Sequence, residues 1–309
     1  VYREEAAGLY YDMQAVYEAA DLLPEDNLSR IEGFKALERC INLLDLRRPG
    51  SAECFESMKM AAQDLEGTYY ADRRPNPVTV HSIGHTHIDV AWKWPLRQTR
   101  QKAVRSFETV LNLMDRYPEY RFMSSQPQLY EFVKEDAPGV LARIRERIKE
   151  GRWEAEGAMW LEPDCNISSG ESLIRHIIYG RRFFEQELGA EKNEVLWLPD
   201  VFGYSAALPQ ILQKSGIPYF MTTKIGWNEF NRFPHDTFLW KGIDGTEVLT
   251  HLISTRNYQK PGDLKMVGNH STTYNGLQNA SQLMGTWQRY QDKDVSTEVL
   301  TCYGYGDGG

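Results

Sequence analysis

His85, His87 and Asp89 alternate in the segment His85-Thr86-His87-Ile88-Asp89, directly behind the apolar run 78–83. In an extended chain, residues two apart point to the same side. Two imidazoles and a carboxylate can therefore face one pocket, and that donor set suits Zn²⁺ or Co²⁺. A hydrogen-bonded turn is the plainer alternative. Asp200 stands in Trp197-Leu198-Pro199-Asp200-Val201-Phe202-Gly203-Tyr204-Ser205. Pro199 cannot donate a ladder hydrogen bond and marks a strand end, so Asp200 sits where strand gives way to turn. It reads as a metal ligand, a nucleophile or both, or else as an N-cap, a role Ser205 can also fill. Trp160-Leu161-Glu162-Pro163-Asp164 sets an aromatic and two carboxylates at another strand end, and Gly306-Asp307-Gly308 presents a carboxylate on a glycine loop. Trp92 and Trp94 follow the histidines. Indoles beside polar ligands make platforms for the apolar face of a sugar ring, although one of the two could equally serve the core.

These groups need a scaffold that brings separate strand ends together. After Pro77, short apolar runs (78–83, 121–125, 153–160, 194–198, 219–223, 247–254 and 298–303) alternate with helical patterns near 97–116, 128–150, 170–188 and 205–216. Such alternation predicts βα units and a parallel sheet, open or closed into a barrel. Ligands then bind beyond the carboxyl ends of the strands, where the acidic and histidine segments fall. Residues 1 to about 70 are helical in pattern, with Leu9, Met13, Val16 and Ala20 at helical spacing. They end at Arg73-Arg74-Pro75-Asn76-Pro77.

With 309 residues, 41% hydrophobic and 25% charged, the chain has ample material for a core. A net charge of −8 argues against general nucleic-acid or anionic-membrane binding. No apolar stretch approaches the ~18 residues of a membrane span. The four widely spaced cysteines (Cys40, Cys54, Cys165, Cys302) lack a C-x-x-C pair and predict free thiols in a reducing compartment. His81, His176, His251 and His270 read as structural, and His235 and Asp236 as loop organisers or site residues. The pocket so implied has one metal, carboxylates and tryptophans, with no phosphate loop and no basic cluster. It suits a neutral polyol or sugar better than a phosphorylated or nucleic-acid substrate. Two carboxylates flanking a glycosidic bond are the usual equipment for its hydrolysis.

GHTHIDVAW, MWLEPDCNISSGESL, LWLPDVFGYSAALPQIL, WNEFNRFPHDTF and GYGDGG, in that order, resemble the glycoside hydrolase family 38 α-mannosidases. The branch most similar contains cytosolic, vacuolar and many bacterial enzymes. The resemblance implies an α/β fold, an irregular seven-stranded parallel β/α barrel over 76–309, preceded by a helical connector over 1–75. It implies one Zn²⁺ or Co²⁺ and retaining hydrolysis of terminal α-mannosides in mannose-containing oligosaccharides. By this resemblance His87 and Asp89 are metal ligands, and Asp200 is a third ligand and the nucleophile. His85 matches a position that is not usually a ligand. Asp307 aligns with the loop that supplies the acid/base. Trp92 matches the aromatic beside the bound mannose, and Trp160 and Asp164 join it as substrate-binding residues. A fourth ligand, a histidine, would lie downstream. The chain therefore reads as the catalytic portion of a longer protein, expected in the cytoplasm and compatible with a homo-oligomer. Two rivals stand beside this reading: a metal-activated-water hydrolase of the amidohydrolase or deacetylase kind, with His251 as a further ligand, and an inactive fragment that only binds metal or sugar.

Overall fold

The computed structural model describes residues 3–71, 76–190, 192–228, 230–260 and 271–308. The Arg73-Arg74-Pro75 boundary, Glu229, His270 and Gly309 lie outside them. The described residues fall into two units. One takes those up to Thr79 with those inside 257–265 and 278–285, and the other takes the rest.

In the first unit, α1 (Glu4–Leu22), α2 (Leu28–Leu43) and α3 (Ala52–Asp64) follow one another, and α3 runs into a π-helical turn, Leu65–Tyr70. Asn27 caps α2 by accepting from the Ser29 N–H at 2.9 Å, and Ser51 caps α3 at the Cys54 N–H. These side chains take up amides that the first helical turn leaves unpaired. Leu9, Val16, Ala36, Leu37, Cys40, Ala61 and Leu65 form the core. Their three-, four- and seven-residue spacings put one apolar stripe on each helix.

The second unit runs β1 (Thr79–His85), α4 (Leu96–Arg116), β2 (Phe122–Ser124), α5 (Pro127–Asp136), α6 (Pro138–Lys149), β3 (Trp153–Ala155), α7 (Gly170–Phe183), β4 (Val195–Leu198), α8 (Leu208–Lys214), β5 (Tyr219–Thr222), β6 (Thr237–Lys241), β7 (Glu247–Leu252), α9 (Ala280–Arg289) and β8 (Glu298–Tyr303). The first residues of β1 and α9 belong to the other unit. The helical pattern over 128–150 breaks into α5 and α6 because Pro138 has no N–H to continue the ladder. Helices α4, α5 and α6 bury Phe107, Leu111, Tyr130, Val133 and Ile144 with Phe122 and Trp153 of the strands. Leu173, Ile177, Leu208 and Leu212 of α7 and α8 bury Leu196, Phe220 and Val248.

The strands pair as two four-stranded sheets, in orders β3-β2-β1-β8 and β4-β5-β7-β6. The α/β class with parallel pairing is as the alternation predicts, since β1, β2 and β3 pair in parallel, as do β4, β5 and β7. The single seven-stranded parallel barrel is not what these ladders form. One departure is β6, which pairs antiparallel with β7 across a hairpin closed by Gly242 and Thr246. The Asp244-Gly245 pair inside that turn is an ordinary hairpin signal. The other departure is the β3/β4 seam. Gly157 (φ +139°) and Ala158 (φ +63°) turn the chain out of the extended region just after β3. Among the described residues no ladder joins β3 to β4. Instead Glu156 Oε1 accepts the Val195 N–H at 3.1 Å and Asn193 Oδ1 accepts the Ala158 N–H at 3.2 Å. At the other seam, Thr255 O accepts from Thr273 N, and Gly276 exchanges backbone hydrogen bonds with Cys302 and Gly304. Met123, Trp197, Met221, Ile253 and Cys302 pack together with Ile83, Val195 and Leu300, so strands of both sheets share one inner core.

Candidate active site

β1 ends at His85, and the chemistry begins two residues later. His85 is only 2% exposed, and Trp197 Nε1 donates to its Nε2 at 3.1 Å. Burial pushes this imidazole down to about 3, and the neighbouring His87 adds to the effect. With Nε2 used by the indole, His85 props the site from below. By alternation alone it groups with His87 and Asp89.

His87, Asp89 and Asp200 come together from loops after β1 and β4, each with one ligand atom within 4.8 Å of the others. His87 Nε2 lies 3.4 Å from Asp89 Oδ1 and 3.3 Å from Asp200 Oδ2. Ligand atoms on a tetrahedral ion with bonds of about 2.0 Å stand about 3.3 Å apart, and the two contacts of His87 Nε2 match that spacing, so this group could hold a metal ion. His87 Nδ1 faces Glu162 Oε1 at 2.9 Å, and Glu162 Oε2 accepts the Asp200 N–H at 3.2 Å. Burial alone would lower the His87 pKa. The Glu162 charge and hydrogen bonds to Asp200, Asp89 and Glu162 override it and raise the value well above 6.5. Burial would likewise raise Asp200, yet hydrogen bonds from His87 and Lys224 hold it at about 2. Asp200 is therefore ionised, as a ligand or nucleophile must be.

A cleft of about 520 Å³ opens over this cluster, lined by His87, Asp89, Trp92, Glu162, Asp164, Asp200, Phe202, Lys224, Trp227, Tyr274 and Asp307 among others. That volume falls within the roughly 300–1,000 Å³ of small-molecule sites. Trp92 is 58% exposed at the rim. Trp94 meets it edge to face but is tied down, its Nε1 donating to Thr99 Oγ1 at 3.1 Å with the Lys102 ammonium over its ring. The pair thus divides into one exposed ring and one tied-down support. Asp164 lines the cleft, although its Oδ1 accepts from the Asn166 and Ile167 amides and closes the local turn. Trp160 does not line it. Its Nε1 donates to Gln128 Oε1 at 3.1 Å and its ring packs edge-on against Phe183, so this expected substrate-binding residue sits outside the lining.

Asp307 reaches the cleft in a left-handed conformation (φ +59°). Its loop is clamped: Thr86 Oγ1 donates to Tyr305 O, Lys102 to Asp307 O, and Arg105 Nη2 to Gly308 O at 2.6 Å. Gly304 (φ +133°) lets the loop cross β1, because a Cβ there would stand 2.3 Å from His85 O. Burial raises the Asp307 pKa, and the Asp89 charge adds to it.

Lys224 and Tyr274 were not singled out from sequence, and Glu162 was seen only as one carboxylate of its segment. Lys224 Nζ pairs with Asp200 Oδ1 and sits 3.6 Å from the Trp227 ring centroid and 4.8 Å from that of Phe202. Its signal was a lone cation at the carboxyl end of apolar β5. Tyr274, edge-on to His87 at 5.3 Å, comes from a polar stretch that carries no pattern. Other expectations resolve away from the cleft. His251 Nδ1 lies 2.9 Å from Thr237 Oγ1 on β7 and does not line the cleft. Asp236 is buried against Arg289 at 3.2 Å, while Asp292 accepts from the Thr237 amide and pairs with His235, so these groups organise their loop. His81 pairs with Glu298 at the surface.

Residues 77–309 match the glycosyl hydrolases family 38 N-terminal domain. The chain belongs to glycosyl hydrolase family 38. It is 36% identical over 310 residues to alpha-mannosidase G of Dictyostelium discoideum, covering 100% of this chain and 26% of that protein. It is 36% identical over 309 residues to alpha-mannosidase 2C1 of Homo sapiens, covering 100% of this chain and 28% of that protein. The family 38 chain thus spans about a quarter of the length of the curated relatives it matches. An alpha-mannosidase from Enterococcus faecalis V583 shares the fold, with a TM-score of 0.57 and 18% identity over 75% of this chain and 25% of that one. Among the described residues of this family 38 domain, no helix is long and apolar enough to cross a membrane.

Proposed function

We propose that this chain is the catalytic portion of a metal-assisted retaining α-mannosidase acting on terminal mannose residues of oligosaccharides. The observation that carries the reading is the convergence of His87, Asp89 and Asp200, with ligand atoms within 4.8 Å of one another, in the cleft that Asp307 also lines. The family and the names of the relatives supply the sugar. His87, Asp89 and Asp200 would hold one Zn²⁺ or Co²⁺ ion, which when bound grips sugar hydroxyls and offsets negative charge. Asp200 attacks the anomeric carbon as the bond to the leaving oxygen breaks, giving a mannosyl ester on its carboxylate. Asp307, raised by burial, gives its proton to that oxygen. It then takes one from the water that cleaves the ester, with net retention. Lys224 keeps the Asp200 carboxylate ionised and oriented, and the exposed face of Trp92 receives the ring.

β1, β2, β3, β4, β5, β7 and β8 would form one irregular seven-stranded ring with β6 outside it. The shared inner core and the side-chain bonds at the β3/β4 seam support this. We assign residues 1–75 as a helical connector and 76–309 as the catalytic domain. The four free cysteines, all buried, fit a reducing cytoplasmic setting.

In the full-length protein, Asp200→Ala should abolish turnover of an activated α-mannoside. A 2-fluoro mannoside should label the parent at Asp200, as mass spectrometry of peptides would show. Retained turnover, or a label elsewhere, would overturn the assignment.

A further inference from the structure

The Glu162 side chain is 6% exposed, and each of its oxygens has one N–H to accept. Oε1 faces His87 Nδ1 at 2.9 Å, and Oε2 accepts the Asp200 N–H at 3.2 Å. One partner follows β1 in the first sheet and the other follows β4 in the second. We propose that Glu162 is a positioning residue whose single carboxylate locks the His87 tautomer and the Asp200 backbone together, aiming Nε2 and the Asp200 carboxylate at one point. The inference rests on the reading of His87, Asp89 and Asp200 as a metal site. A ligating imidazole must present a bare nitrogen to the ion. A carboxylate on its other N–H enforces that tautomer and raises its donor strength. Both partners here are donors, so the bridging group must accept twice. A carboxylate does so, whereas a carboxamide of the same shape has one acceptor and one donor. Gln at this position would set an N–H against an N–H at one of the two contacts.

The test uses the full-length protein and its His87→Ala, Glu162→Gln and Glu162→Asp variants. Zn²⁺ affinity is measured by competition with a chromophoric chelator, and the visible spectrum of the Co²⁺ form is recorded. Melting of the metal-free proteins reports folding separately. H87A should lose stoichiometric binding. E162Q should bind Zn²⁺ about 10–100-fold more weakly and shift the Co²⁺ bands. E162D, which keeps two acceptors on a shorter arm, should fall between E162Q and the parent. Parent-like affinity and spectrum in E162Q, with metal lost in H87A, would overturn the role of Glu162 alone. An E162D no better than E162Q would overturn the double-acceptor argument. Stoichiometric metal in H87A would overturn the metal-site reading itself.

Discussion

Replacing Glu156 with Gln should stabilise the protein at neutral and alkaline pH and make little difference in mild acid. Glu156 is 7% exposed just after β3, where its Oε1 accepts the Val195 and Gly157 amides. Burial raises its pKa from 4.5 to about 7 against the lowering effect of those amides, and Glu154 nearby adds to the rise. Below pH 4.5 the carboxyl is protonated in both folded and unfolded chains. Between 4.5 and 7 only the unfolded chain releases the proton, so stability falls as pH rises, and above about 7 the loss is complete. The gap between 4.5 and about 7, at about 1.4 kcal/mol per tenfold change in proton affinity, corresponds to about 3 kcal/mol. Gln keeps an oxygen for the two amides and has no proton to lose. Urea midpoints of parent and E156Q, measured from pH 4.5 to 8.5, should diverge through that interval and run parallel above it. Any fixed cost of burying the carboxamide cancels, because the assay reads the change with pH. A parent-to-variant gap that is the same at pH 5 and pH 8.5 would refute the reasoning.

Arg289→Met should cost about 3–5 kcal/mol, visible as a lowered thermal midpoint, since it leaves the Asp236 carboxylate buried without its counter-charge. Trp92→Ala should raise KM for a mannoside several-fold, whereas Trp160→Phe, which removes only the bond to Gln128, should leave KM near that of the parent. Equal KM effects in steady-state assays would return Trp160 to the sugar site.

The parallel α/β class was legible because apolar runs and helical patterns alternate, and the site because acidic and histidine segments end those runs. Spacing could not fix depth. His85 and His87 share a side by alternation, yet His85 lies one step lower, where Trp197 takes its Nε2. That partner is 112 residues away in sequence and leaves no local trace. Trp160 shows the reverse case. Its type and place resemble those of a sugar platform, but Gln128 and Phe183 turn it into the core. Lys224 was hidden because a single lysine after a strand is ordinary, and only the fold sets it on Asp200 among aromatic rings.

The irregular seam and the candidate site have one cause. A regular β3–β4 ladder would pair backbone with backbone along both strands and keep the chain after β3 extended. Here three side-chain acceptors take the ladder's place: Glu156 on the Val195 amide, Asn193 on the Ala158 amide and Glu162 on the Asp200 amide. The amides are satisfied, as buried amides must be, but at separate points. Freed from a ladder, the chain turns through Gly157 and Ala158 and brings Glu162 across to His87. The outermost of the three acceptors is thus also the group that touches two candidate metal ligands. If a ladder continued to Asp200, its amide would face a carbonyl, and the link from Glu162 through that amide to His87 could not form.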